Sequence, residues 1–377
     1  MIMEERGCSQ SQLGRDLGKG QTWVSEMIRG TRGRDFAKVI NILARVGWEV
    51  VIRPKREKSD PVKRREFVAA TASVMFVPSP KTGPYEDPEY LSELTKRVAA
   101  DRDEHGGAPG VSPAMRHIRQ LRSAVEGRDK KLKMAASGLA VETVWTLNDA
   151  GRFDAGQKVG ELALTLARLS QDADTQSRAL SVLARVQYHR GDGGLAVKYA
   201  QQAVNLRDIP PGQHAWLKLR HGWSLSMLNG QEHAARHALD DVRRFLADKG
   251  DLHRQAPGDT ADLLGSVGRA LYDLGEYEEA QACLAEAGQY LGHSWSRLHG
   301  IFLARQATAS LRAGQPEYAA DRMLSLVRVL PLINSVQLNN DVKDVLAASR
   351  PWRAVPEVRT ARAQLLEVWP DAQPKQT

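Results

Sequence analysis

Between Gly18 and Gly30 the chain reads GKGQTWVSEMIRG, and one short stretch offers an amide (Gln21), a hydroxyl (Thr22), an indole (Trp23) and a carboxylate (Glu26). Arg29, Arg32, Arg34 and Lys38 follow closely. No nucleophile stands beside a base in this set, so the chemistry on offer is recognition. Side chains of these types match the donor and acceptor edges that base pairs show in a major groove, and a trailing row of cations suits phosphates. Gln21 would pair with adenine or cap its helix against a phosphate, and Thr22 would touch a thymine methyl. Glu26 would accept from cytosine N4, and Trp23 would pack on a sugar or methyl edge. Backbone amides near Gln10, at the start of the preceding helix, could hold another phosphate. Elsewhere no nucleophile elbow, phosphate loop, dinucleotide fingerprint or Cys-His cluster occurs, so neither an enzyme nor a cofactor is expected. The run EHAARH puts His233 and His237 one turn apart beside Glu232, but it lacks the metalloprotease order and a third ligand.

Those polar groups need elements to present them. CSQSQLGRDLG opens with Ser9 as N-cap and Gln12 three residues on, and Leu13 and Leu17 share one helical face. Gly18 and Gly20 make a tight turn. The helix Gln21 to Arg29 turns Val24, Met27 and Ile28 inward, and a third helix from Asp35 carries Phe36, Val39, Ile40 and Leu43. Two short helices across a glycine turn, closed by a longer one, make a helix-turn-helix. SQSQLGRDLGKGQTWVSEMIRG resembles the phage-repressor or xenobiotic-response-element (XRE) class of helix-turn-helix. Ser9, Gln10, Leu13, Gly14, Gly18, Gln21, Val24, Ser25, Met27 and Gly30 fall on its pattern. The resemblance implies that residues 1–54 form a DNA-binding domain. Gly20 departs from the Ser or Thr common there, and only MIMEER precedes the first glycine, so either the head is trimmed or translation starts upstream.

GWEVVIRPK follows, and its alternation predicts a strand over 48–53. Some antitoxin members of the class pair such a strand across a two-fold axis, which implies a homodimer; an exit segment packed on the next helix is the other reading. Residues 55–112 read as linker. Within them KRREFVAATASVMFVPSP looks like a twin-arginine export signal, but its internal position favours a short amphipathic helix over 66–77. Pro, Gly and charge over 78–112 predict a flexible connection, and HGGAPG there lacks the Lys and strand of a phosphate loop.

From 113 to 370 the pattern is helical and repeats. Gly151, Gly191, Gly230, Gly275 and Gly314 recur at intervals of 40, 39, 45 and 39 residues, each with a small residue five positions later. GRALYDLGEYEEAQACLAEAG is the clearest copy, and the pattern resembles tetratricopeptide repeats (TPRs). The resemblance implies an all-α chain: a helix-turn-helix followed by a right-handed α-solenoid of helical hairpins, with capping helices from 335 and a tail over 371–377. It also puts Trp145, Asn148, Arg185, Tyr188, Arg220, Arg269 and Tyr272 on a concave groove that suits a peptide, a small signal or a protein partner.

Charge agrees with a basic head on a neutral body. Residues 1–65 hold 15 Lys and Arg against 8 Asp and Glu, a net of +7 out of +8 for all 377 residues. Cys8 and Cys283 fall in separate domains, which favours a reducing, cytoplasmic, nucleoid-associated location over a disulfide framework. No run approaches 18 consecutive apolar residues, so no membrane span is expected. The whole resembles actinobacterial one-component regulators and, more loosely, peptide-sensing quorum regulators. The expected function is a sequence-specific regulator binding double-stranded DNA; a TPR adaptor with a helix-turn-helix interaction module is the alternative.

Overall fold

A computed structural model describes residues 48–53, 73–78, 83–124, 129–247, 257–291 and 296–369. The expected helix-turn-helix and its DNA contacts, Gln10, Gln21, Thr22, Trp23, Glu26, Arg29, Arg32, Arg34 and Lys38, lie outside these residues. The chain divides into two compact units, residues 1–84 and 85–377.

In the first unit, β1 (Trp48–Arg53) pairs antiparallel with β2 (Ser73–Pro78), in a register that sets Trp48 opposite Pro78 and Arg53 opposite Ser73. β1 stands where alternation put it. Its partner corrects one expectation. The sequence SVMFVP is a strand rather than the end of an amphipathic helix, because two valines and a phenylalanine in six residues favour extended backbone and Pro78 suits a strand end. Along this edge β1 is paired within its own chain, in a two-stranded sheet.

The second unit holds fourteen α-helices among the described residues. They are α1 (Pro88–His105), α2 (Gly107–Ala124), α3 (Lys130–Asp149), α4 (Phe153–Ser170), α5 (Ala173–Arg190), α6 (Gly193–Val204) and α7 (Pro211–Leu225). Then follow α8 (Glu232–Ala247), α9 (Pro257–Asp273), α10 (Tyr277–Gln289), α11 (Ser296–Arg312), α12 (Pro316–Val329), α13 (Val336–Ala348) and α14 (Pro356–Val368). None is long and apolar enough to cross a membrane.

The repeat signature has a simple structural cause. Gly151, Gly191, Gly230, Gly275 and Gly314 all take positive φ, between 69° and 84°, where a Cβ is strained; four of them end the first helix of their hairpin, and Gly230 closes the longer turn after α7. Five residues on, Gly156, Ala196, Ala235, Ala280 and Ala319 are buried where the second helix crosses the first. Successive helices pack as neighbours, and their Leu, Val and Ala faces form two apolar clusters, one spanning α1 to α7 and the other α7 to α14.

The stretch expected to be a flexible connection instead contains α1 and the first third of α2. Its Pro and Gly residues serve as helix ends. Asp87 accepts a hydrogen bond from the Glu89 amide ahead of Pro88, and Gly106 stops α1 at φ +86°. Leu91, Leu94, Ile118 and Leu121 then bury against α3 and its neighbours. These added helices matter because the unit closes on itself: α11 packs on α1, and α13 reaches α3.

Candidate ligand cavity inside the repeats

The first helices of successive hairpins, α3, α5, α7, α9 and α11, surround a cavity of about 290 Å³, and a second of about 110 Å³ adjoins it toward α13. Asn148, Arg185, His189, Trp223 and Arg305 line both. Helical spacing explains how one face supplies polar groups while the other feeds the core. Asn148 and Tyr188 stand three residues before a turn glycine, and Trp145, Arg185 and Arg269 stand six before, nearly one turn earlier on the same face.

Of the residues expected in a groove, Trp145, Asn148, Arg185 and Arg220 line the larger cavity, and Tyr188 and Arg269 line the smaller. Tyr272 sits outside both, in a neighbouring cleft with Arg269. Sequence reasoning missed Arg305, Trp223, His189, Gln213 and Asp262. Arg305 is nine residues before Gly314, one turn off the other arginines, and the longer turn after α7 shifts Trp223 similarly. A cation amid the small and apolar run IFLARQATAS was the available signal.

The cations fall into two groups. Arg305 donates from Nε to Asp341 (3.1 Å), and Arg269 donates to Asp273 (3.0 Å) and to Asp341 (3.4 Å), so both have carboxylate partners. Arg185 and Arg220 are different. They are 5 % and 4 % exposed, and Nη1 of Arg185 with Nε and Nη1 of Arg220 have no hydrogen-bond partner. Aromatic faces hold them instead: Arg185 lies 3.8 Å from the Trp223 ring centre, and Arg220 lies 5.3 Å from Trp223 and 5.5 Å from Trp145. Asp273 fixes that platform by accepting from the Trp223 indole (3.0 Å) and the Tyr188 hydroxyl (2.7 Å). Beside them, both side-chain amide atoms of Asn148 are buried and unpartnered.

Burial, then the charges of Arg220 and Arg305, push the Arg185 guanidinium well below its ordinary range. Burial likewise lowers Arg220 to about 10, although Asp262 pulls the other way. His189 stacks on Phe153 (5.3 Å, planes 10° apart), and burial together with Arg185, Arg305, Arg220 and Arg269 holds its imidazole far below the usual range. An uncompensated buried cation is costly to fold around. Two in one cavity make it a candidate site.

The closure of the unit forms part of the same wall. Asp149 accepts from Arg297 (3.1 Å), from the Ser335 hydroxyl (2.8 Å) and from the Gly107 amide (2.6 Å). Arg297 also donates to Asp103 (3.2 Å), which pairs with Arg102, and Arg102 in turn pairs with Glu142. Backbone bonds from Asn334 to His105 (2.8 Å) and from Ala108 to Asn334 (3.2 Å) complete the seam. Arg102, Glu142, Asp149 and Arg297 all line the larger cavity, so seam and cavity share residues.

No protein-family model matches the chain, and no curated protein matches it. Among solved structures, a Rap protein complexed with Competence and Sporulation Factor is 10 % identical over 76 % of this chain and 88 % of its own, with a TM-score of 0.45. A Podosopora anserina structure assigned to kinesin light chain TPR-like repeats is 15 % identical over 55 % of this chain and 95 % of its own, at 0.38. The TPR2AB domain of yeast Sti1 in complex with pHSP90 is 13 % identical over 72 % and 98 %, at 0.24. At such scores no residue role carries across, and the repeat architecture rests on the helices described above.

Proposed function

We propose that the protein is a DNA-binding transcription regulator, reading its operator as a homodimer on two half-sites, whose helical-repeat unit is the receptor for the signal. The observation that carries the receptor half is the pair of buried, unpartnered guanidiniums in an interior cavity. The DNA half is supported by the sequence: the glycine-bracketed polar face at 21–29 and the basic first 65 residues. The seam favours a small signal over a protein in the cavity, because residues joining the two ends of the unit also wall it in. A ligand that binds the closed arrangement better than an opened one shifts the population toward closure, and only that difference in affinity can drive the response.

Genomic footprinting of the tagged full chain supplies the operator, and gel shifts on that duplex test the reading. Binding is expected to be sequence-selective, to weaken steeply between about 50 and 200 mM salt, and to fall when Gln21, Thr22 and Glu26 are changed together to Ala. Each lost base contact should cost about 1–3 kcal/mol of discrimination. Equal affinity for a scrambled duplex, with no salt dependence, would support the TPR adaptor instead.

A further inference from the structure

The receptor reading leaves the ligand's chemistry open, and the cavity narrows it. A guanidinium presents its N–H donors around the edge of a plane, and that fork matches the paired oxygens of a carboxylate or phosphate. In Arg185 and Arg220 the aromatic contacts occupy ring faces, Trp223 for both and Trp145 for Arg220, while the unpartnered atoms are N–H donors. The arrangement therefore has its donors unspent. Trp145, Trp216 and Phe302 add planar apolar wall to the same cavity, and Asn148 offers an unpartnered donor and acceptor. At about 290 Å³ with an adjoining 110 Å³, the space sits near the lower end of the roughly 300–1,000 Å³ found for small-molecule pockets.

Together the geometry points to a small oxyanion, carboxylate or phosphate, carried on an aromatic body, bound with its oxygens between Arg185 and Arg220. This inference rests on the receptor reading of the repeat unit. Asp262 lines the same cavity and bears electrostatically on both arginines without a hydrogen bond to either side chain, so it is the charge an incoming anion must overcome. A neutral ligand would leave the two cations with only Asp262 to offset them. The anion satisfies them.

The test is calorimetric titration of the full chain, in buffer free of other oxyanions, with benzoate, phenyl phosphate, benzamide, acetate and inorganic phosphate. Benzoate or phenyl phosphate should bind at least tenfold more tightly than neutral benzamide and than the anion lacking a ring. The better of the two tells carboxylate from phosphate. Arg185→Gln and Arg220→Gln should each weaken the better ligand at least tenfold, and Asp262→Asn should tighten it. Benzamide binding as well as both aromatic anions would overturn the inference, as would Gln variants that bind normally or no anion binding at millimolar concentration. If the Gln variants fail to fold, the benzamide comparison on the unaltered chain decides alone. Gel shifts on the footprinted operator separate the two claims. An anion that binds without changing operator affinity contradicts the sensing role and leaves the site standing, whereas operator binding without anion binding does the reverse.

Discussion

The imidazole of His189 gives the cavity a measurable pH signature. Burial and four surrounding arginines keep it neutral in the folded chain well below its ordinary value of 6.5. The unfolded chain protonates near that value, so above it neither state binds the proton and the group costs nothing. As pH falls below about 6.5, only the unfolded state takes it up, and stability is lost. The melting temperature should therefore drop between pH 7 and 5.5, and His189→Gln should flatten part of that slope. His117, His221 and His299 are shifted the same way by burial and account for some of the remainder. An unchanged slope in the variant would show that the charged surroundings do not act on this ring. At this scale the sequence was partly legible. Asn148, Arg185 and Tyr188 share their positions ahead of a turn glycine and could be found by carrying one repeat onto the next. Arg305 and Trp223 could not, because one stands a turn earlier and the other precedes a longer loop. What no single repeat encodes is which arginines lack a partner, since Asp341, which pairs with both Arg269 and Arg305, comes from α13.

Elements were most legible where one physical requirement recurs. Positive φ needs glycine, close helix crossing needs a small residue, and five copies of that pair define the hairpins. α1 and α2 were hidden because proline and glycine mark both loops and helix ends, and only a cap such as Asp87 separates the cases. β2 was hidden for a different reason: six residues of apolar sequence fit a strand or a buried helix until a partner is known. Gly106 shows what the hidden elements do. It combines φ +86° with a site where an added Cβ would lie 2.3 Å from the Asn334 carbonyl oxygen in the seam. Gly275, at φ +84°, has open space around it. Gly275→Ala should cost about 1–2 kcal/mol from backbone strain alone. Gly106→Ala should cost clearly more, because the seam backbone must also move. Urea unfolding of the two variants measures the difference, and equal losses would mean that the seam yields freely.

At the scale of the whole molecule, closure changes how a repeat protein should behave. An open array has ends that fray and units that unfold nearly independently. Here α1 is bonded to α11 through Arg297 and Asp103, and Ser335 at the start of α13 reaches Asp149 on α3. Native-state hydrogen exchange should find the amides of α1 and α13 opening together, at a free energy near that of α3. Ser335→Ala combined with Arg297→Gln should lower protection at both ends alike, and loss confined to α13 would contradict a closed unit. The charge layout of the full chain, a basic head before a nearly neutral body, was legible from composition, but closure was not, because it joins residues as far apart in sequence as His105 and Asn334. The central claim is that Arg185 and Arg220 are kept for a ligand and not for the fold. Its most direct test is thermal unfolding of the Arg185→Gln, Arg220→Gln double variant, without added anion and at low salt. Removing two unpartnered buried cations should raise the melting temperature above that of the unaltered chain. A lower melting temperature would mean that the pair holds the repeats together, and the cavity would lose its claim to be a receptor.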